Sequence, residues 1–483
     1  DEHTSRGLGD VYKRQRYFDR ITRPEQILSS LPQAINTMLD PSDCGPAVIS
    51  MSQDVQGEAY EYPEIFFEET IHEIRTIHPD PKQINIAAEN LKNSKQPIII
   101  SGGGVLYSEA EEEISSFAKK HNIPVIATVM GIGCMQKDDP FYIGATGGLG
   151  EGSANNLSRD TDLALAIGTK LADFTTASWT NFQNENFKLV SVNTSRFDTV
   201  KHRAFPVVSD AKIGLKELSK ALGDWKAPNG WYQRAIEEKI KWEEYVAKES
   251  GPTNQELPSY AHAVGAVYRN SDPSDIVVTA AGGLVGEVVQ IWKPKEINTF
   301  ETEWGFSCMG YEISGALGIK MAKPDQDVVV FVGDGSYLLQ NSDIYSSVLY
   351  DKKLIIVVCD NGGHMVINRL QLAKGGKEYL CNLNAAGATN LQFVDFEAHA
   401  KSMGANAETV KSTSELEAAF KRAKASDKTY VISMKTDGYE WLEGTAFWDS
   451  PTLQVSSTKE NKAAYEEFVL SLIHISEPTR RVF

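Results

Sequence analysis

The stretch Val328-Val329-Val330-Phe331-Val332-Gly333-Asp334-Gly335-Ser336 decides the fold. Its continuous apolar run predicts a strand buried on both faces of a parallel sheet. Ligands of parallel sheets bind beyond the carboxyl ends of the strands, where this stretch places a carboxylate between two glycines. Because glycine lets the backbone approach a bound anion closely, the pattern predicts a ligand site at the end of this strand.

A second strand, predicted at 354–359, ends in Asp360-Asn361-Gly362-Gly363, and a helix predicted at 343–350 lies between the two. In such a βαβ unit both strand ends open on the same edge of the sheet. Asp334 and Asn361, 27 positions apart, are therefore expected to meet. Carboxylate, amide and carbonyl oxygens suit Mg²⁺ or Ca²⁺. A lone Gly-Asp-Gly is equally typical of an ordinary turn, but this context favours a metal–diphosphate site.

The same alternation of strands and helices continues in both directions and predicts an α/β fold with doubly wound parallel sheets. One domain is predicted at 254–446, with strands at 276–280, 328–332, 354–359 and 430–434. A central domain is predicted at 84–222, with strands at 97–101, 124–129, 163–167 and 189–192. Ser108 and Glu111 are expected to form a capping box for a helix that ends at His121. Residues 223–253 are predicted to be a linker that contains a charged helix.

The N-terminal part predicts only the last half of an α/β unit, a helix at 24–39 and a strand at 45–51. Residues 16–56 are therefore expected to be the tail of a third domain, followed by a linker at 57–83. A C-terminal segment at 447–469 is predicted to end in a short polar helix at 459–469.

The two ends have no periodic pattern. Residues 470–475 can be encoded by the reverse complement of a sequence that encodes residues 10–15. We therefore expect 1–15 and 470–483 to be non-native and to derive from a sequencing adapter, which excludes them from reasoning about the fold. Two disordered tails are the alternative.

Composition excludes several classes of protein. The chain has 483 residues and a net charge of −17, which argues against a broad nucleic-acid surface. No apolar run approaches the roughly 20 residues that span a bilayer. The five cysteines form no CxxC pair, which argues against a disulfide framework and a structural zinc site and favours a reducing, cytoplasmic location.

Gly333-Asp334-Gly335, followed after 24 residues by Asp360-Asn361, resembles the cofactor motif of thiamine diphosphate enzymes. Asp360 departs from the usual asparagine of that motif. The resemblance implies that Asp334, Asn361 and the carbonyl of Gly363 bind Mg²⁺, which anchors thiamine diphosphate. It also implies that the loop at 280–283 holds the diphosphate and that the segment at 304–310 contacts the aminopyrimidine. The cofactor contacts that it implies are Ala281, Gly282, Gly283, Ser307, Cys308, Met309, Gly333, Asp334, Gly335, Ser336, Asn361, Gly363, His364 and Met365.

Met309 matches the large apolar residue that bends the cofactor into a V, although a methionine can also be core filler. His364 can touch substrate or relay a proton, and a solvent-facing loop histidine is an equal alternative. Asn368 and Arg369 are candidates for binding hydroxyls of a polyol ring, and Gly375-Gly376 suggests a mobile loop over the site.

Four further segments narrow the resemblance to the trihydroxycyclohexanedione hydrolase family of myo-inositol breakdown, and the match spans nearly all of 16–469. It implies hydrolytic C–C cleavage of a cyclic dione to 5-deoxy-D-glucuronate by a homodimer or homotetramer with shared sites. The glutamate that activates the cofactor is expected in the N-terminal domain of a neighbouring subunit, so the chain alone is expected to be inactive. The segments are 20–26, 52–60, 308–312 and 437–439.

Two alternatives stay open at this stage. The cofactor motif alone does not separate the hydrolase from a carboligase of the acetolactate synthase type or a decarboxylase. A protein that binds Mg²⁺ and diphosphate without chemistry is a third reading. Dinucleotide binding at 101–104 is disfavoured, because Tyr107 stands where the fingerprint needs its third glycine.

Overall fold

The computed structural model describes residues 15–446 and 452–479, and it contains three parallel β-sheets. The predicted α/β class with doubly wound parallel sheets is confirmed. Most of the two ends predicted to be non-native, 1–14 and 480–483, lies outside the described residues. Within the described ranges, every helix is too short or too polar to cross a membrane.

The N-terminal unit is a two-stranded parallel sheet. Strand β1 (Tyr17–Ile21) pairs with β2 (Ala47–Met51), and helix α1 (Ile27–Met38), preceded by the 3-10 turn Pro24–Gln26, connects them. The predicted helix and strand are confirmed. Sequence reasoning missed β1, because Asp19 and Arg20 interrupt its apolar character. The 3-10 turns Val55–Gly57 and Glu64–Phe67 follow in the predicted linker.

The central sheet has six parallel strands, β3 to β8, in the spatial order β5-β4-β3-β6-β7-β8. The four predicted strands are confirmed. The two that were missed, β5 and β8, are the edges, and each is only four residues long. The strands are β3 (Pro97–Ser101), β4 (Val125–Ala127), β5 (Tyr142–Ala145), β6 (Leu163–Ile167), β7 (Lys188–Asn193) and β8 (Phe205–Val208).

Helices cover both faces of this sheet. They are α2 (Pro81–Asn93), α3 (Gly103–Tyr107), α4 (Glu111–His121), α5 (Gly152–Asp160), α6 (Asp173–Thr176), α7 (Arg196–Thr199) and α8 (Ala211–Leu222), with 3-10 turns at Val129–Gly131 and Lys201–Arg203. The predicted capping box is wrong. Ser108 follows the last residue of α3, and the residue before α4 is Ala110, which makes no side-chain cap. Instead, three acidic residues in the first turn of α4 interact favourably with the positive end of the helix dipole. They are Glu111, Glu112 and Glu113.

The 21-residue helix α9 (Asn229–Glu249) leads to the second six-stranded parallel sheet, whose strands β9 to β14 have the order β10-β9-β11-β12-β14-β13. Again the four predicted strands are confirmed, and the two edge strands, β10 and β13, were missed. The strands are β9 (Ile276–Thr279), β10 (Phe300–Thr302), β11 (Val328–Gly333), β12 (Ile355–Asp360), β13 (Asn406–Val410) and β14 (Tyr430–Lys435).

The helices of this unit pack on both faces of its sheet, and a last helix follows it. They are α10 (Tyr260–Arg269), α11 (Leu284–Ile291), α12 (Tyr311–Ala322), α13 (Asp334–Leu339), α14 (Asp343–Leu349), α15 (Met365–Ala373), α16 (Phe396–Ser402), α17 (Thr413–Ala425) and α18 (Lys459–Thr479), with a 3-10 turn at Leu383–Ala385. Helix α18 extends past residue 469, where the sequence predicted its end.

Strand β11 lies in the middle of this sheet, between β9 and β12. Its residues from Val328 to Val332 are buried, because helices cover both faces. Gly333 pairs with Cys359 at the end of β12, so the two strands finish at the same level. This register places the residues that follow them side by side.

Polar contacts join the two six-stranded units. Lys293, just after α11, forms a 2.5 Å ion pair with Glu151 at the start of α5, and both side chains are buried. The amide of Asn155 donates to the Gly444 carbonyl at 3.0 Å. The backbone N–H of Glu443 donates to the Tyr245 hydroxyl at 2.9 Å. The segment after β14 therefore fastens one unit to the other.

We predict that Lys293→Met destabilises the protein by about 3–5 kcal/mol, because it leaves the Glu151 carboxylate buried without its cation. Denaturant unfolding followed by far-UV circular dichroism measures the loss. The double variant Glu151→Gln/Lys293→Met removes both charges and should lose clearly less stability than the single variant. A single variant that unfolds at the wild-type midpoint would contradict the importance of this pair.

Candidate functional site

The ends of β11 and β12 form the centre of the candidate site. Asp334 is the first residue of α13 and is only 5% exposed. The backbone N–H of Gly363 donates to its Oδ2 at 2.7 Å. The structure thus brings together the two loops that the sequence predicted would meet.

Asn361 supplies an oxygen without a partner. Its Oδ1 is buried and accepts no hydrogen bond within the described part of the chain. A buried acceptor in that state is costly unless a ligand satisfies it. Asp334 and the backbone carbonyl of Gly363 lie in the same pair of loops, and oxygen donors of these three kinds suit a divalent cation. Within the described residues, no three His, Cys, Asp or Glu side chains form a metal cluster.

The turn that carries Gly363 is hydrogen-bonded to a segment further along the chain. The Leu383 N–H donates to the Gly362 carbonyl at 3.0 Å, and the His364 N–H donates to the Cys381 carbonyl at 2.8 Å. Gly363 has a φ of +138°, and a Cβ there would lie 2.4 Å from the Cys381 carbonyl oxygen. Only glycine therefore fits this position.

Asp360, the departure from the cofactor motif, has its own partners. Its Oδ1 accepts from the Gly362 N–H at 3.0 Å, and its Oδ2 forms a 2.5 Å ion pair with Lys435 on β14. Burial, and then the nearby charge of Asp360, raises the pKa of Asp334 to about 6. A bound cation would offset this accumulation of negative charge.

Gly335 marks a close approach of three segments. A Cβ at this position would lie 2.8 Å from Cε1 of His364 and 3.2 Å from Cε of Met309. His364 and Met309, both predicted on separate motifs, therefore face the Gly-Asp-Gly turn. His364 is exposed and Met309 is half-buried, so both remain accessible to a ligand.

The loop after β9 lies next to the segment at 307–310. Ser307, with a φ of +53°, donates through its hydroxyl to the Ala280 carbonyl at 3.4 Å. The Cys308 N–H donates to Glu303 Oε2 at 2.6 Å, and Cys308 itself is exposed. Gly282 has a φ of +77°, and Gly283 has no room for a Cβ, which would lie 2.0 Å from the Trp441 ring. The two predicted cofactor segments are therefore adjacent.

Sequence reasoning missed Glu312. It is 1% exposed, although it lies on α12, a helix of small and apolar residues. Its Oε1 accepts from the Ala281 N–H at 3.3 Å, and its Oε2 accepts from the Gly310 N–H at 2.9 Å. The Ser336 side chain lies close enough to lower the pKa of this carboxyl. A single acidic residue in such a helix was the available signal.

The remaining candidates have other partners. Met365 is buried, and its methyl group approaches Gly438. Asn368 is buried and donates to Glu378 Oε1 at 2.9 Å, so its amide nitrogen is already engaged. The Arg369 guanidinium lies 5.2 Å from the centroid of the Trp441 ring.

The loop predicted to be mobile contacts α18. The backbone at Gly375 lies against that of Glu460, since a Cβ on the glycine would approach the Glu460 carbonyl to 2.5 Å. The Asn461 amide donates to the Lys374 carbonyl at 2.7 Å. Helix α18 therefore anchors the start of this loop.

Two protein families match the chain. The central domain of thiamine pyrophosphate enzymes matches residues 84–218. The C-terminal TPP binding domain of thiamine pyrophosphate enzymes matches residues 280–434, the region that contains β11, β12 and their loops.

Three curated relatives have the same name, 3D-(3,5/4)-trihydroxycyclohexane-1,2-dione hydrolase. The relative from Shouchella clausii is 36% identical over 480 residues, which cover 93% of this chain and 74% of the relative. The relative from Bacillus subtilis is 35% identical with the same coverage. One from Listeria monocytogenes is 36% identical over 477 residues, with 94% and 74% covered.

Glu287 is a buried carboxyl next to the site, on the helix that follows the loop at 281–283. Its Oε1 accepts from the Leu442 N–H at 3.0 Å, and its Oε2 has no partner among the described residues. Burial raises its pKa to about 7. A raised pKa in the folded state means that this group costs stability as the pH rises from the unfolded value toward 7.

We therefore predict that Glu287→Gln gains stability relative to wild type as the pH rises from 5 to 8. The two proteins should differ little at pH 5, where the carboxyl is protonated, and the variant should be favoured by up to about 3 kcal/mol at pH 8. Thermal unfolding of both proteins across this pH range measures the difference. A difference that is constant with pH would show that Glu287 does not titrate in this way.

Proposed function

We propose a function for this chain from one premise: it belongs to the 3D-(3,5/4)-trihydroxycyclohexane-1,2-dione hydrolase family of thiamine diphosphate enzymes. The proposed activity is the thiamine diphosphate- and Mg²⁺-dependent hydrolysis of a carbon–carbon bond in that cyclic dione, a step of inositol and carbohydrate breakdown. The observation that carries the proposal is that the loop with Asn361 reaches Asp334 through the Gly363 N–H, and that the buried Asn361 amide oxygen has no partner within the described residues.

The residues present fit Mg²⁺ and a diphosphate. Asp334, Asn361 and the Gly363 carbonyl would hold the ion, and the absence of a side chain at Gly335 lets His364 and Met309 approach the turn closely. Ala281, Gly282 and Gly283 would hold the diphosphate from the other side, where the positive φ of Gly282 exposes backbone. Gly333 and Ser336 complete the turn, and Cys308 and Met365 line the adjoining segments.

When bound, thiamine diphosphate supplies a carbanion that adds to a carbonyl and then stores negative charge. The residues of this chain would bind the cofactor, orient it and enclose it. Met309 would support the cofactor in a bent shape, since its side chain faces the Gly-Asp-Gly turn. His364, exposed and facing the same turn, is placed to contact the substrate or to transfer a proton.

The substrate is a small polyol diketone, in accordance with the name that the relatives carry. The acetolactate-type carboligase or decarboxylase reading is not favoured, because the relatives that match nearly the whole chain are named as hydrolases. Supplying the dione and pyruvate separately to the enzyme with thiamine diphosphate and Mg²⁺ distinguishes the two. Consumption of pyruvate without the dione would overturn the proposed substrate.

We further assign residues 84–222 as the central domain and 254–446 as the diphosphate-binding domain.

We propose a homodimer or homotetramer with shared sites, supported by exposed apolar side chains on α13 and α14, directly after the Gly-Asp-Gly turn. All five cysteines are free, which supports a cytoplasmic location. Light scattering at several concentrations tests the assembly. The apolar side chains are Leu338, Leu339, Tyr345 and Leu349.

We predict that Asp334→Ala weakens the binding of thiamine diphosphate in the presence of Mg²⁺ by at least ~100-fold. Loss of an outer partner of a metal ligand already costs roughly 10–100-fold, and Asp334 is proposed as a ligand itself. Isothermal titration calorimetry measures the affinity. Asp325→Ala is the matched control, because Asp325 is exposed at the opposite end of β11. Equal affinity in Asp334→Ala and wild type would remove the metal assignment.

A further inference from the structure

Glu312 connects three segments that are distant in sequence. It accepts from the Ala281 N–H after β9 and from the Gly310 N–H before α12, and the Ser336 side chain on α13 lies close enough to lower its pKa. The bonds to the two backbone N–H groups use different oxygens of the same carboxylate. One buried side chain therefore sets the relative position of all three segments.

Burial of the Glu312 carboxylate costs free energy, so its place in this helix needs a specific reason. The carboxylate is 1% exposed and forms no ion pair within the described part of the chain, so hydrogen bonds alone compensate for its burial. Burial also raises the pKa of Glu312 above its ordinary value, because it disfavours the charged carboxylate. The rest of α12 is small or apolar apart from Lys320 at its far end, and a leucine or alanine would suit such a helix better.

The three segments have one thing in common. Ala281 belongs to the loop proposed to hold the diphosphate, Gly310 follows Met309 in the segment proposed to contact the aminopyrimidine, and Ser336 completes the Gly-Asp-Gly turn. The Glu312 bonds thus run between the two ends of the proposed cofactor site. A ligand that spans both ends gains affinity when the distance between them is fixed in advance.

We propose that Glu312 is a positioning residue, which holds the diphosphate loop and the pyrimidine segment at the spacing that thiamine diphosphate requires. This inference rests on the proposed function. It assigns Glu312 no contact with the reacting atoms. It predicts that Glu312 matters for a ligand that occupies both ends of the site and much less for one that occupies only the diphosphate end.

The test compares two probes on three proteins. Calorimetry in the presence of Mg²⁺ measures the affinities of thiamine diphosphate and of inorganic diphosphate for wild type, Glu312→Gln and Asp275→Asn. The amide of Glu312→Gln keeps the size of the side chain but presents an N–H₂ where an acceptor is needed. Asp275→Asn is the matched control, because Asp275 is a buried carboxylate just before β9. It therefore lies at the amino ends of the strands, away from the site at their carboxyl ends.

Glu312→Gln should bind thiamine diphosphate at least about tenfold more weakly than wild type and inorganic diphosphate less than about threefold more weakly, a selectivity that general destabilisation does not produce. Asp275→Asn should show wild-type affinity for both. A parallel loss for both probes in Glu312→Gln, or no loss for either, overturns the inference and leaves the proposed function intact. A wild-type protein that binds neither probe overturns the proposed function itself.

Hydrogen exchange on the wild-type protein provides a second test that does not depend on a folded variant. Without cofactor, the Ala281 and Gly310 amides should exchange slowly, because Glu312 accepts from both. Rapid exchange at both amides, like that of an exposed loop, would contradict the proposed role.

Discussion

The site depends on the parallel pairing of β11 with β12. Because Gly333 pairs with Cys359, the loops after the two strands begin at the same level, and the Gly363 N–H reaches the Asp334 carboxylate at 2.7 Å. A register shift of one residue would move every side chain to the opposite face of the sheet and would separate these loops. The buried apolar runs that make both strands fully internal therefore also fix the position of the proposed metal ligands.

Four buried carboxyl groups lie around the carboxyl ends of these strands, and the cost of burying each one is offset in a different way. Asp360 pairs with Lys435, Glu312 accepts from two backbone N–H groups, and Glu287 accepts from one, that of Leu442. Asp334 has the Gly363 N–H but no cation among the described residues, and burial together with Asp360 raises its pKa to about 6. The positive charge that Asp334 still needs would lie next to the Asn361 amide oxygen, which also has no partner within the described residues. Electrostatics and hydrogen bonding therefore indicate the same place for a divalent ion.

The sequence predicted the centre of each sheet better than its margins. All eight internal strands of the two six-stranded sheets were predicted, because continuous apolar runs are typical of strands covered on both faces. The edge strands β5, β8, β10 and β13 were missed, since glycine, proline or polar residues interrupt their apolar character. Asp334 and Asn361 were predictable because each directly follows an internal strand. Glu312 was not, because its partners Ala281 and Gly310 are brought to it only by the tertiary fold.

Asp360 shows why a motif should be interpreted together with its sheet. In the sequence it is only a departure from the usual asparagine, and nothing near it offers a compensating charge. In the structure Asp360 and Lys435 are direct neighbours in the pairing of β12 with β14, and their side chains form the ion pair. The extra negative charge next to the proposed ion is therefore balanced by a residue 75 positions away. The sheet register, which no local pattern contains, makes the aspartate compatible with the site.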